Sequence, residues 1–328
     1  MRTITLTEAM NEALREEMHR DDSVYAVGLG LSSASEGTTA GLVDDFGTSR
    51  IRSAPNCETA IAGSAVGAAL VGMRPVVELH LADFAFNALD EILSKAGKWR
   101  YTHGASGGMS LPIVFLQTMG GYVSGASEHS QAPLALYMHA PGIKVVVPTT
   151  PRDAKYLLKE AIRDNNPVVF FVHKLLTDVK GPVPDTEGEV PGFGMAEVRR
   201  QGNDVTVVAT SYMVTLALEA AEQLGDRDVS VEVIDPRTLE PLDIETIVQS
   251  VRKTGRLVVI DEDTARCGVG AEIGLQVMEH AFEALRAPVA RVANPNLPVP
   301  YSPPLEEAVL PSPKSIQAAI LRTVSATP

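Results

Sequence analysis

Apolar residues recur every three or four positions at the start of the chain, where Leu6, Met10, Ala13, Leu14 and Met18 share one face. That spacing predicts an amphipathic helix. Thr7 reads as its N-cap, and the polar run Arg20-Asp-Asp-Ser as its end. The period then changes. Short runs rich in Val, Ile and Phe follow at Val24–Val27, Val76–Leu81, Ile113–Leu116, Val145–Val147 and Val168–Val172, with helix-like stretches between several of them. Strands alternating with helices predict an α/β fold with a largely parallel sheet.

Between Leu175 and Gly194 the pattern dissolves into a stretch rich in Pro, Gly and charge, the composition of a connecting segment. Beyond it come strand-like Val205–Ala209, a helical stretch from Met213 to Leu224, strand-like Val229–Ile234 and Leu257–Ile260, a helix from Val269, and Val289–Val292. A second, smaller α/β domain is expected. The boundaries that follow are 1–180 for the first domain, 181–194 for the linker and 195–328 for the second. No internal repeat or low-complexity tract is visible.

The length of 328 residues suits two domains, each in the usual range of ~100–200 residues. The start, Met1-Arg-Thr-Ile-Thr-Leu-Thr-Glu, meets an acidic residue before any apolar run of signal-peptide length. The apolar region 60–86 is interrupted by Arg74, Pro75, Glu78, His80 and Asp83, so it lacks the ~18 uninterrupted apolar residues of a membrane span. Two cysteines, Cys57 and Cys267, make no disulfide framework. A cytoplasmic protein without membrane partners is expected. A formal charge of −13 with no dense Lys/Arg cluster argues against nucleic acid as partner. The acidity otherwise reads as solubility.

Few short motifs carry chemistry by themselves. Gly28-Leu-Gly and Gly268-Val-Gly-Ala-Glu resemble phosphate cradles, but Ser33 and Ile273 stand where a third glycine belongs. Tight strand-to-helix packing explains both better. Glu58 opens an apolar helical run, where a carboxylate gains from the helix dipole alone, and His129 in Ser127-Glu-His-Ser-Gln is as consistent with a surface histidine as with a substrate-facing one. Hydrolase triads, H-E-x-x-H and C-x-x-C are all missing from the sequence.

A broader pattern emerges when longer runs are taken together: residues 4–18, Glu58-Thr-Ala-Ile-Ala-Gly, Leu81-Ala-Asp-Phe-Ala-Phe, His129-Ser-Gln, Pro148-Thr-Thr-Pro-Arg-Asp-Ala-Lys, Val233-Ile-Asp-Pro-Arg-Thr-Leu-Glu-Pro-Leu-Asp, Asp261-Glu-Asp-Thr and Pro298-Val-Pro-Tyr-Ser-Pro-Pro-Leu-Glu. Their content and order resemble the β subunit of the thiamin-diphosphate-dependent 2-oxo acid dehydrogenase decarboxylating component. The resemblance spans almost the whole chain. It implies a transketolase-like pyrimidine-binding domain followed by a transketolase C-terminal-type domain, and an enzyme that decarboxylates a 2-oxo acid and passes the acyl group to a lipoyl acceptor.

In this family the α-type partner holds the diphosphate and Mg²⁺ through a Gly-Asp-Gly…Asn motif that this chain lacks. An α-type subunit, an α₂β₂ assembly and a lipoyl acyltransferase component are therefore the expected partners. By the same resemblance, Glu58 would hydrogen-bond N1′ of the cofactor aminopyrimidine, with Leu81 and Phe84 packing on the ring. His129 would face the substrate. Leu111, Asp164 and Asn166 would form a site for a monovalent cation such as K⁺.

Two departures stand out. Family members carry Gly-Glu-Asp after the first strand, where this chain has Gly28-Leu29-Gly30, and the 120–129 loop differs from the usual Gly- and His-rich form. They keep open a non-oxidative thiamin-diphosphate-dependent decarboxylase or carboligase of specialised metabolism; a catalytically silent assembly subunit is a further alternative, against which the retained Glu58 and His129 argue.

Overall fold

The computed structural model describes residues 1–34, 37–104, 109–184, 192–225 and 227–326. They fall into two compact units, one of Met1–Met119 with Leu136–Phe193, the other of Gly120–Ala135 with Gly194–Pro328.

The first unit contains β1 (Arg2–Thr5), β2 (Val24–Leu29), β3 (Ile51–Ala54), β4 (Arg74–Leu81), β5 (Val114–Met119), β6 (Lys144–Val146), β7 (Val168–His173) and β8 (Lys180–Val183). Its parallel strands neighbour one another in the order β6-β7-β5-β4-β2-β3. β7 is buried along its whole length and β5 nearly so, as expected of central parallel strands covered on both faces. β8 pairs antiparallel with β1. The expected linker therefore starts inside a strand, because Lys180–Val183 finds a partner at the N-terminus that the local sequence does not reveal. Residues 185–191 of that linker lie outside the described residues.

The first helix spans Leu6–Arg20, starting at the first residue of its apolar stripe and running two residues past Met18. Thr5, not Thr7, is its cap: the Thr5 hydroxyl accepts the Glu8 N–H at 3.0 Å, and Glu8 Oε2 accepts the Thr5 N–H at 2.7 Å. Glu8 lies three residues beyond Thr5, so only Thr5 can form this reciprocal capping box. The helix packs on Pro151–Arg163, itself started by Thr150 with Pro151 in its first turn. Glu16 and Glu17 pair across this contact with Lys155 (2.6 Å), Lys159 (2.7 Å) and Arg163 (2.6 Å). Glu17 is fully buried, so losing its cation would leave an uncompensated charge, a change that typically costs about 3–5 kcal/mol.

The second unit contains β9 (Glu197–Arg200), β10 (Val205–Ala209), β11 (Val231–Asp235), the short β12 (Thr238–Glu240), β13 (Leu257–Thr264) and β14 (Ala290–Asn294). A five-stranded sheet runs β14-β13-β10-β11-β9, parallel except for β9. Val205, Val207, Val231, Val233, Val258 and Ile260 from its central strands bury against the helices Tyr212–Gly225 and Pro313–Ser325. At about 1.5–3 kcal/mol per buried aliphatic side chain, this cluster holds the unit together. The helix Val269–Ala281 begins where the sequence predicts it.

Candidate active site

Glu58 is the first residue of the helix Glu58–Leu70. Its half-buried carboxyl takes no hydrogen-bond or ion-pair partner among the described residues. The neighbouring Thr59 hydroxyl donates to the Asn87 carbonyl at 2.5 Å, tying this helix start to the chain that leaves β4. That chain passes through Leu81 into a 3₁₀ turn at Phe84–Ala88 and then a π-helical stretch at Asp90–Ala96. Such stretches recur at functional sites. The Ala82 N–H donates to the Thr118 carbonyl at 2.8 Å, anchoring the segment on β5. Leu81 and Phe84 are both half-buried. One end of the first unit thus gathers the helix start that carries Glu58 and the segment that carries Leu81 and Phe84.

A cavity of about 220 Å³ opens beside it, at the C-terminal ends of β2, β4, β5 and β7, the edge at which parallel sheets bind ligands. Leu29, Leu31, Glu78, His80, Gln117 and Thr118 line it. Burial pushes the Glu78 carboxyl up to about 7, opposed in part by the His80 N–H that donates to it at 3.2 Å. Gln117 Nε2 donates to the Tyr137 hydroxyl at 3.1 Å, while its buried Oε1 has no partner among the described residues. Gly28 explains the first Gly-Leu-Gly: a Cβ there would lie 2.6 Å from the Glu78 carbonyl oxygen and 2.8 Å from its Cβ. Close approach to the neighbouring strand β4 requires this glycine, rather than the expected strand-to-helix packing, and no phosphate cradle is needed to account for it.

His129 lies in the second unit, exposed, on the segment 120–135. Its N–H donates to the Ala126 carbonyl at 3.2 Å. Neighbouring Ser127, Ser130 and Gln131 line a cavity of about 530 Å³ with Glu262, Asp263 and Arg266. Here three adjacent carboxyls crowd the end of β13. Burial first, and then the charge of Asp263, raise the Asp261 carboxyl above the usual carboxylate range; burial raises Asp263 as well.

At the third expected site, Leu111 is buried and its N–H donates to the Asn165 carbonyl at 2.9 Å. The Asp164 carboxylate accepts the Asn166 N–H and side-chain amide, each at 2.7 Å, and pairs with Lys144. Arg100 donates to the Asn166 side-chain oxygen, and Arg74 to the Ile162 and Asp164 carbonyls at 2.9 and 3.0 Å. The three residues come together, but the side-chain oxygens of Asp164 and Asn166 are already engaged by Lys144, Arg100 and the Asn166 amides. A monovalent ion at this turn would have to draw on main-chain carbonyls.

Residues 2–180 match the transketolase pyrimidine binding domain, and residues 194–316 match the transketolase C-terminal domain. The chain is 40% identical to the 2-oxoisovalerate dehydrogenase subunit beta of Bacillus subtilis (strain 168), covering 98% of each chain. It is 43% identical to the pyruvate dehydrogenase E1 component subunit beta of Rickettsia conorii, covering 97% of each. The chain belongs to the family of 2-oxo acid dehydrogenase E1 β subunits. This E1 β-type chain is also 39% identical to the acetoin:2,6-dichlorophenolindophenol oxidoreductase subunit beta of Bacillus subtilis (strain 168), over 98% of this chain and 97% of the relative. Among solved structures, a split gene transketolase described as an inactive beta4 tetramer superposes with a TM-score of 0.80 at 26% identity, covering 99% of both chains. The family expected from the long runs is thus borne out, as are the two transketolase-type domains of an α/β fold and a β-type subunit of a heteromeric enzyme. Among the described residues no helix is long and apolar enough to cross a membrane.

Sequence reasoning missed Glu78 and Gln117, whose roles depend on which strands neighbour one another. It singled out the runs containing Glu262 and Glu306 as family marks without assigning either residue a task.

Proposed function

We propose that this chain is the β half of an α₂β₂ thiamin-diphosphate enzyme of the cytoplasm that decarboxylates a 2-oxo acid and passes the acyl group to a lipoyl acceptor on an acyltransferase component. The observation that carries this reading is the setting of Glu58: an unpaired, half-buried carboxyl at a helix start, tied to a segment that offers an aliphatic and an aromatic side chain. A carboxyl flanked by apolar surface fits a flat heteroaromatic ring with a basic nitrogen. Glu58 would bind and orient the aminopyrimidine, holding a proton at N1′. Phe84 would pack on the ring face, adding about 0.5–1.5 kcal/mol beyond burial, and Leu81 would fill the space beside it. When bound, the cofactor supplies the electron sink for decarboxylation. His129 would bind the substrate carboxylate or move a proton at the substrate, since an imidazole can serve as general acid or base. The partner would hold the diphosphate and Mg²⁺, and K⁺ would sit on the carbonyls near Leu111, Asp164 and Asn166.

The helix Glu58–Leu70 supports a partner in another way. It is apolar nearly all round, yet Ala60, Ser64, Gly67 and Val71 at its solvent face are exposed. Helices of that kind are normally buried.

Leu29 favours keeping the non-oxidative carboligase as a second reading. It is 39% exposed and lines the 220 Å³ cavity with Glu78, so an apolar side chain stands where the family resemblance implies a carboxylate. The silent-subunit alternative draws on the beta4 assembly of the split transketolase. Calorimetric titration of thiamin diphosphate and Mg²⁺ into this chain, alone and co-expressed with an α-type partner, separates the readings when combined with assays of 2-oxo acid consumption with and without a lipoyl acceptor. Binding and lipoyl-dependent turnover by the pair alone support the E1 reading. Turnover that ignores the lipoyl acceptor supports the carboligase, and a pair that forms without binding cofactor supports the silent subunit.

A further inference from the structure

Two runs singled out in the sequence, Asp261–Thr264 and Pro298–Glu306, have no task in the site described above, yet both send carboxylates to the backbone of the segment that carries His129. Gly120, Tyr122, Ser124 and Ala126 have φ of +98°, +66°, +54° and +62°, so alternate residues over seven positions sit in the left-handed region. Three of the four are not glycine. L-residues adopt that conformation under strain, and it persists only where the surroundings over-determine it. Alternation of this type also turns backbone N–H groups toward a common anion.

In this protein the anions are its own. Glu262 Oε1 accepts the Gly121 N–H at 2.6 Å, and Glu306 Oε2 accepts the Ser124 N–H at 3.0 Å. Glu262 and Glu306 are 6% and 4% exposed. Asp263 Oδ2 accepts the Ala135 N–H at 3.3 Å, so the far end of the segment is held from the same strand. Between these points the Tyr122 hydroxyl donates to the Pro311 carbonyl at 2.8 Å, its ring meets Tyr212 edge-on at 5.4 Å, and the Gly120 N–H donates to the Gln131 carbonyl at 3.0 Å. His129 follows directly and faces solvent. Charge-assisted bonds from buried carboxylates are stronger than neutral ones, which suits them to holding a strained backbone.

We propose that Glu262 and Glu306 are positioning residues for His129: they clamp the left-handed turns of 120–126 and so fix where the imidazole is presented. The proposal rests on the reading of His129 as a substrate-facing residue. Its test uses the assembled α-type and β-type enzyme with thiamin diphosphate and Mg²⁺, comparing Glu306→Ala, Glu306→Gln, Glu262→Ala and His129→Gln by hydrogen exchange and steady-state kinetics.

In Glu306→Ala, exchange should rise at least tenfold in peptides covering 120–131 while those of β10 and β13 stay as in the wild type. kcat should fall by about 10- to 100-fold, the range that follows from misplacing a reacting group, with KM nearly unchanged. Glu306→Gln keeps an acceptor oxygen and should recover most of both. Glu262→Ala, which removes the acceptor of the Gly121 N–H, should speed exchange at Gly121, which gives an independent reading if Glu306→Ala does not fold. Combined with His129→Gln, Glu306→Ala should add little further loss, because both act through one group. Unchanged exchange at 120–131 in both Glu306→Ala and Glu262→Ala would overturn the clamp. Raised exchange with wild-type kcat, in an enzyme that His129→Gln does impair, would overturn the positioning role alone. Full activity in His129→Gln would instead remove the reading of His129, and the positioning role with it.

Discussion

The Glu58 helix and the 120–135 segment each carry a residue expected to act on the reaction, and they are built by opposite means. Glu58 stands at the start of a regular helix, and its neighbours Leu81 and Phe84 follow directly from the end of a sheet strand. One left-handed residue, His80 with φ of +56°, is needed there against four in 120–126, and regular elements hold their side chains precisely placed. His129 instead follows a run of left-handed turns, stabilised by carboxylates that lie 141 and 182 residues further along the chain. A site built on elements tolerates change in distant sequence. A site built on a strained loop depends on it.

The sharpest break of this comparison is Glu58→Gln, which should lower kcat by about 10²–10⁴-fold, as loss of a proton-handling group does, while leaving subunit assembly intact by analytical ultracentrifugation. Activity within a factor of two of wild type would remove Glu58 from the chemistry. Next in size, His129→Gln should lower kcat by about 10²-fold with cofactor affinity retained in calorimetry; a loss of cofactor binding instead would move His129 out of its substrate role.

A smaller effect is expected from Gly121→Ala, because the added Cβ would lie 2.7 Å from Leu310 Cδ1 and 3.2 Å from Glu306 Oε1. Leu310 can rotate away in part, so thermal or urea unfolding should show roughly 1 kcal/mol of destabilisation, the low end of overpacking. The same substitution at exposed Gly67, where a Cβ meets nothing within 4 Å, should not destabilise.

The mildest test concerns pH. Glu78 has its carboxyl raised from 4.5 to about 7 by burial, so the folded state holds a proton that the unfolded chain releases. Its contribution to stability is therefore complete below pH 4.5 and is lost as pH rises through about 7. Glu78→Gln should flatten the decline in Tm across that window, measured by circular dichroism. Parallel wild-type and variant curves would show that Glu78 is not the group responsible.

Much of the architecture was legible before any coordinates. Val205–Ala209 forms a strand at the limits its composition predicts, and Val24, Val76, Val168 and Leu257 all lie in strands where their runs suggest. These strands are buried, so hydrophobicity marks them. β1, β3, β8 and β9 escaped notice because they are short and polar on much of their surface; their existence depends on a neighbour, not on their own composition. The first cap fell on the wrong threonine for a related reason, since Thr5 and Thr7 differ only in which lies three residues before Glu8.

By itself, then, the sequence determined the α/β class, the family and the residue types suited to a cofactor ring, because periodicity and ordered motifs are properties of the chain alone. Tertiary structure decided which carboxyls matter to one another. Glu78 becomes a titrating group near neutrality only when β2, β4, β5 and β7 align around it. Glu262 and Glu306 become partners of Gly121 and Ser124 only when segments far apart in sequence are brought within 3 Å. Burial and hydrogen bonding between distant residues leave no periodic trace, and it is these that set the charge state and the backbone geometry at which the chemistry would be done.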